Sequence, residues 1–204
     1  MMAVKQWKLD TWLKRSILEG DVEDARKSLA AGADPNHAMV EGEIRSLPLI
    51  QAATKHADLV EVLLEYGADV SARDRLGATA LHFANNPDII IKLLAAGADP
   101  KAKSNDGGTA LHACTSVENV QLLIDAGADP TALNAQGKLP WQAIEALLGR
   151  IDTSAVSLNS RMQSCQAAIN MLRSLAENES LHDTTTRVQM IAKEETKKAQ
   201  DGRI

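Results

Sequence analysis

The sequence predicts an all-α solenoid, in which short helix-turn-helix units stack side by side and are joined by hairpin-like loops. Three observations carry this prediction. Thr79-Ala80-Leu81-His82 recurs as Thr109-Ala110-Leu111-His112, 30 positions on. Gly67-Ala68-Asp69 recurs as Gly97-Ala98-Asp99 and Gly127-Ala128-Asp129 at the same step. Each of these glycines closes an apolar run, such as Val62-Leu63-Leu64 or Val120-Gln121-Leu122-Leu123-Ile124. A period of this length marks a repeat architecture whose single unit cannot bury its own apolar face and is stable only when stacked on its neighbours.

Within the unit, Thr79 and Thr109 stand where a hydroxyl can cap the first turn of a helix. Gly67, Gly97 and Gly127 stand where the left-handed conformation ends one. Between start and stop a first helix, a turn and a second helix fit, leaving the polar stretch from Ala68 to Ala78, and its equivalents, to cross to the next unit. Only 18 positions separate Thr79 from Gly97 and Thr109 from Gly127, so the turn between the helices is short, over Asn85-Asn86-Pro87-Asp88 in one unit and Thr115-Ser116 in the next.

Taken in order, residues 1–32 read as a capping unit. Trp12, Leu13, Ile17, Val22, Ala25 and Leu29 are its apolar positions, Gly20-Asp21 its turn, and Lys14, Arg15, Glu19, Glu23, Asp24, Arg26 and Lys27 a charged face for water. Residues 33–139 hold the repeats. The first crossing loop takes 15 positions from Gly32 to Leu47 where the later loops take 12, and the extra length carries Glu41, Glu43 and Arg45. Added length in an exposed loop reads equally as a contact or as neutral drift. Leu47-Pro48-Leu49-Ile50 opens the next unit without the threonine or the histidine. Gly137-Lys138-Leu139-Pro140-Trp141 opens the last with the same losses, and Trp141 is placed to cover the end of the core. Residues 140–177 read as C-terminal capping helices. The second of them runs from Leu158 to Ala176 with Met162, Cys165, Ile169, Leu172 and Leu175 on one side. Residues 178–204 read as a polar tail, mobile or a frayed helix.

These residues carry a resemblance to ankyrin repeats, whose pattern is G-x-T-P-L-H-x-A-A, a second helix of the E-I-V-K-L-L type, and G-A-D. Five units can be traced, from about Leu9 to about Ala176. From Thr79 to Gly97 and from Thr109 to Gly127 the spacing is three residues shorter than the family's usual spacing of about 21.

The chain carries a net charge of −5 and a pI near 5.5, which disfavours a general nucleic-acid or anionic-membrane surface. No 18-residue apolar run and no signal-like N-terminus is present, so the chain reads as cytoplasmic, with Cys114 and Cys165 as free thiols. No cofactor is implied. His82, His112 and Cys114 are the tempting catalytic set, but the two histidines lie one helix layer apart, roughly 8–10 Å, too far to share a zinc. The resemblance implies instead that each histidine binds neighbouring backbone through its ring nitrogens. The aspartates Asp34, Asp69, Asp99 and Asp129 are expected to tie loop backbone.

Recognition of another protein is the function the resemblance implies, on the concave side formed by loop tips and first helices. Its outward positions are Arg73, Arg75 and Leu76, then Lys103, Asn105 and Asp106, then Leu133, Gln136 and Lys138, with Glu41, Glu43 and Arg45 from the long first loop. Arg45, Arg73, Arg75, Lys103 and Lys138 make a basic stripe, which suits a partner with an acidic patch or is simply a solvated row of loop tips. Reversing Arg73, Arg75 and Lys103 to glutamate is expected to leave folding intact, since these are exposed loop charges. Two kinds of binder fit this reading, a scaffold or adaptor and a dedicated inhibitor or immunity protein. An enzyme is the alternative of another class and would need a pocket with convergent titratable groups. Oligomeric state is open.

Overall fold

A computed structural model describes residues 6–41, 44–148 and 163–179 of the chain. Helices α1 (Gln6–Glu19) and α2 (Val22–Ala30) form the first pair. After the first crossing loop come α3 (Pro48–Ala53) and α4 (Ala57–Glu65), then α5 (Ala80–Phe83) and α6 (Pro87–Ala95), a single 3₁₀ turn (Ala110–Ala113) and α7 (Val117–Asp125), and finally α8 (Pro140–Leu148). Helix α9 covers 163–179. The first helices make one row, α1 on α3, α3 on α5, α5 on the 3₁₀ turn and that turn on α8. The second helices make the other row, α2 on α4, α4 on α6 and α6 on α7. The result is the two-layered helical solenoid that the 30-residue period demands.

The long first loop adds a feature the sequence left open. Its extra residues fold into a two-stranded antiparallel hairpin, β1 (Met39–Glu41) and β2 (Ile44–Ser46), in which Val40 faces Arg45 and Met39 faces Ser46. Met39 is buried against the core.

Each Gly-Ala-Asp works as one device. The glycine takes positive φ, +90° at Gly97 for example, and the following alanine sends its N–H back five residues, from Ala98 to the Leu93 carbonyl at 2.9 Å. This bond satisfies a carbonyl that the helix end would leave orphaned. Ala33, Ala68 and Ala128 do the same for Ser28, Leu63 and Leu123. The aspartate then accepts the N–H two residues ahead, at 2.8 Å for Asp34, 2.9 Å for Asp69, 2.8 Å for Asp99 and 2.7 Å for Asp129. The expectation that these carboxylates tie loop backbone is met.

The missing residues between paired helices come out of the first helix. Helix α5 is four residues long, and its equivalent in the next unit tightens to the 3₁₀ turn. Ala84 and Cys114 are extended at the point where a longer helix would continue. The second helix restarts at once, with Pro87 at its first position and the Asn86 side chain accepting the Asp88 N–H at 2.8 Å.

Burial follows the repeat. Leu59, Leu63, Ile89, Ile90, Leu93, Leu111, Leu123 and Ile144 are almost wholly enclosed, as are Leu13 and Ile17 of α1. Trp12 departs from expectation. The sequence reading placed it with the apolar positions of the first unit, yet it is 55% exposed. The inward stripe of α1 is Leu9, Leu13, Ser16 and Ile17, and residue 12 falls beside that stripe. Trp141 is half-buried and packs against the core, with the Arg173 guanidinium of α9 4.4 Å from its ring centroid. In α9 the buried positions are Cys165, Ala168, Ile169, Leu172 and Ala176. Leu175, expected among them, is half-buried. The part of that expected helix before residue 163 lies outside the described residues, as does the expected tail apart from 178 and 179, which are the last turn of α9.

Candidate functional site

The later crossing loops are built alike, and their construction fixes where each outward side chain stands. In each, four residues make a closed turn, with Gly77, Gly107 and Gly137 donating back to Asp74, Ser104 and Asn134. The side chain at the head of the turn fills its concavity: Asp74 Oδ1 accepts from Leu76 and Ala78 N–H, and Asn134 Oδ1 from Gln136 and Lys138 N–H. Ser104 uses a relay instead, its hydroxyl donating to Asp106, which also accepts the Gly108 N–H. The Ser104 hydrogen bond is the main reason the Asp106 carboxyl sits below the usual carboxylate range.

Backbone bonds then tie tip to tip. Asn105 N–H donates to the Leu76 carbonyl and Ala135 N–H to the Asp106 carbonyl, both at 2.7 Å. The Asn105 amide adds a bond to the Arg75 carbonyl at 3.0 Å. One loop earlier, Asn36 spans the gap by donating to the Gly67 carbonyl and accepting the Asp69 N–H. Two glycines are required here for space as well as conformation. A Cβ on Gly77 (φ +71°) would lie 2.3 Å from Asn105 Oδ1, and one on Gly107 (φ +74°) 2.9 Å from the Ala135 backbone nitrogen.

The ladder brings the expected site residues of the later loops into one register. Arg73, Lys103 and Leu133 occupy equivalent places, as do Leu76, Asp106 and Gln136. Leu76 is 67% exposed and Leu133 51%, large apolar side chains held out on rigid tips. Asn105, Asp106, Gln136 and Lys138 are exposed as well. Glu41 and Arg45 lie in the hairpin strands, and Glu43 falls outside the described residues.

Two members of the expected basic stripe have structural work. Arg73 Nη1 donates to the Gly77 carbonyl at 2.8 Å and to the Lys103 carbonyl at 2.6 Å. Lys103 Nζ reaches the Leu133 carbonyl at 3.2 Å. Arg73, expected to be an ordinary exposed loop charge, thus has a guanidinium that joins neighbouring loops. Charge counting along a sequence could not find this, because the acceptors are main-chain carbonyls.

The histidines are spent in the same way. His82 Nδ1 accepts the Thr79 N–H at 3.1 Å, and Nε2 lies 3.2 Å from the Gly108 carbonyl in the next unit. His112 repeats this with Thr109 at 3.1 Å and Lys138 at 3.3 Å. An Nδ1 that accepts and an Nε2 that donates define a neutral ring, and burial, the first cause, pushes both histidines below the ordinary histidine range. Cys114 is buried, with its sulfur toward the Ser116 carbonyl, and its thiol is pushed up to about 11 by that burial, which withholds the thiolate. The set that looked catalytic in the sequence is thus occupied in capping and packing.

The sequence reading missed the exposed face of α1. Trp7 is 61% exposed and Leu18 45%. Trp7, Asp10, Thr11 and Lys14 face His37, Ala38 and Met39 of the first loop across a pocket of about 520 Å³. A second groove, of about 330 Å³, runs between α1 and α2 beside Trp12. The available signal was the offset of Trp7 from the Leu9, Leu13, Ile17 stripe.

Among the described residues no helix is long and apolar enough to cross a membrane. A family model described as ankyrin repeats, three copies, matches residues 13–104 and again residues 49–134, which together span more than half of the chain. Ankyrin repeats are generally protein-protein interaction modules and the family is typically non-enzymatic. With the Schellman-ended second helices, the histidine-capped first helices and the bonded loop tips on the page, this match makes the chain a member of the ankyrin-repeat family.

Proposed function

We propose that this protein is a non-catalytic binding module that holds another protein along its loop tips and the exposed faces of its first helices. The observation that carries the reading is the pair Leu76 and Leu133. Two large apolar side chains stand exposed on the two tips that flank the Asn105–Asp106 tip, each flanking tip hydrogen-bonded to that middle one. The ladder beneath them fixes their spacing in the free protein, so little ordering cost is left for binding. Asn105 and Asp106 stand on the tip between them and Gln136 and Lys138 on the tip of Leu133, so apolar and polar groups alternate along the row, and a partner surface can meet both. The positive groups of the row, Arg75, Lys103 and Lys138, suit a partner with an acidic patch, which would speed its approach. A cytoplasmic setting belongs to the same proposal and is supported by two unpaired thiols.

The test is affinity capture from the native cell with the full chain and with a Leu76→Asp, Leu133→Asp variant. Both sites are exposed, so the variant should keep its circular dichroism and melting temperature. The reading expects a protein retained by the native chain and lost by the variant. Retention by both chains equally would move the site off the loop tips. A single stoichiometric partner whose activity is blocked would mark the protein as an inhibitor, whereas several partners would mark a scaffold.

A further inference from the structure

We propose that the pocket between α1 and the first crossing loop is an anchor for a basic side chain, an arginine or lysine presented by the bound protein. The proposal rests on the protein-binding reading above and names one chemical feature of the partner. Asp10 supplies the charge. Its side chain is only 8% exposed, and Oδ1 is held by Gln6 Nε2 at 3.0 Å and the Asp34 N–H at 3.2 Å, which fixes the carboxylate with no help from solvent. Oδ2 lies 3.7 Å from His37 Nδ1, beyond hydrogen-bond distance, and so keeps acceptor capacity on the pocket side.

Trp7 supplies the wall. Its exposed indole already has the Lys8 ammonium 5.6 Å from the ring centroid, and an aromatic ring offers a second face to a cation. Met39, 8% exposed, gives an apolar surface for the stem of a long side chain. Lys14 also lines the pocket and is itself engaged in an interaction, and Asp10 is the one carboxylate among the residues that line it. A carboxylate, an indole face and a thioether together fit a guanidinium or ammonium on an aliphatic stem. The site stands at the opposite end of the row from Lys103 and Lys138, so the partner would carry a basic anchor at one end and acidic groups at the other.

The experiment is an NMR titration of the full-length chain with N-acetyl-arginine methylamide, beside the neutral N-acetyl-citrulline methylamide. Saturable shifts of the Trp7 indole N–H and of the Asp10 and His37 amides with the arginine probe, absent with citrulline, support the proposal. Trp7→Ala should weaken the arginine probe about two- to fivefold, read from the Asp10 and His37 amides. Asp10→Asn should weaken it about tenfold, because the amide oxygen still accepts from Asp34 but the charge is gone. No saturable shift, equal shifts with both probes, or undiminished binding to a folded Asp10→Asn chain would each overturn it. If a captured partner is lost by the Leu76, Leu133 double variant yet binds Trp7→Ala and Asp10→Asn at full strength, the pocket is not the anchor and the loop-tip reading stands.

Discussion

Arg73 donates one guanidinium nitrogen to the carbonyl of Lys103, 2.6 Å away in the next repeat, while the same nitrogen reaches Gly77 in its own loop at 2.8 Å. A side chain that counts as a surface charge in the sequence is a cross-brace between loops. Arg73→Ala should cost about 1 kcal/mol, the worth of charge-assisted bonds discounted for their exposure. Arg73→Glu should cost more, since a carboxylate would face two carbonyl oxygens. Lys103→Ala, which removes one longer bond, should cost less, and Leu76→Ala should lie within about ±0.5 kcal/mol. Urea melts of the four variants followed by circular dichroism check this order.

Gly107→Ala should destabilise more than Gly67→Ala. Both positions have positive φ, so both substitutions carry a left-handed penalty of about 1–2 kcal/mol. At Gly67 the new methyl meets open space, whereas at Gly107 it lies 2.9 Å from backbone that is pinned by its own bond to Asp106. Thermal melts of the two variants should separate clearly, and equal melting temperatures would show that the tips are not held in contact in solution.

Stability should fall in mild acid because of His82 and His112. Both are depressed in the folded chain, so as pH drops through about 6.5 the unfolded state takes up protons first, and the folded state loses ground until its own lower pKa is reached. Above about pH 7.5 both states hold neutral rings and this contribution is constant. The last repeat shows how to remove the effect: Gln142 Oε1 accepts the Leu139 N–H at 2.9 Å, in the place where His112 accepts from Thr109. His112→Gln should therefore keep the cap and make the decline below about pH 7.5 shallower by the share of His112, leaving that of His82. Asp69 and Asp106, held low by hydroxyl hydrogen bonds, lose their contribution only at more acid pH. Denaturant midpoints measured across pH for native and variant chains decide it.

Leu111→Ala should cost about 2–5 kcal/mol by opening a cavity, since Leu111 is fully buried in the row of first helices. Its unit has only a 3₁₀ turn, with little backbone to relax into the space. Leu81→Ala, at 2% exposure, belongs to the same class. Loss of any captured partner should track loss of helicity in these variants, unlike the loop-tip variant, which should lose binding with its helicity intact.

The sequence by itself determined the all-α solenoid, its period and the helix stops at Gly-Ala-Asp, because each depends on groups a few residues apart and the period repeats them. The structural use of His82 and His112 came from the family resemblance, since one bond of each reaches backbone of the next unit. Tertiary structure alone decided the rest. The hairpin at Met39–Glu41 and Ile44–Ser46, the bracing role of Arg73, the exposure of Trp12 and the pocket of Trp7, Asp10 and His37 depend on which main-chain carbonyl or helix face lies across from each side chain. Gln142 was missed for a related reason: the first-turn cap requires only an acceptor at the right place, and an amide oxygen fills it as well as an imidazole nitrogen. A periodic pattern reports which side chains face the core, since burial repeats with the backbone. It is silent about bonds to backbone in a neighbouring unit, because every residue offers the same carbonyl and only packing selects one.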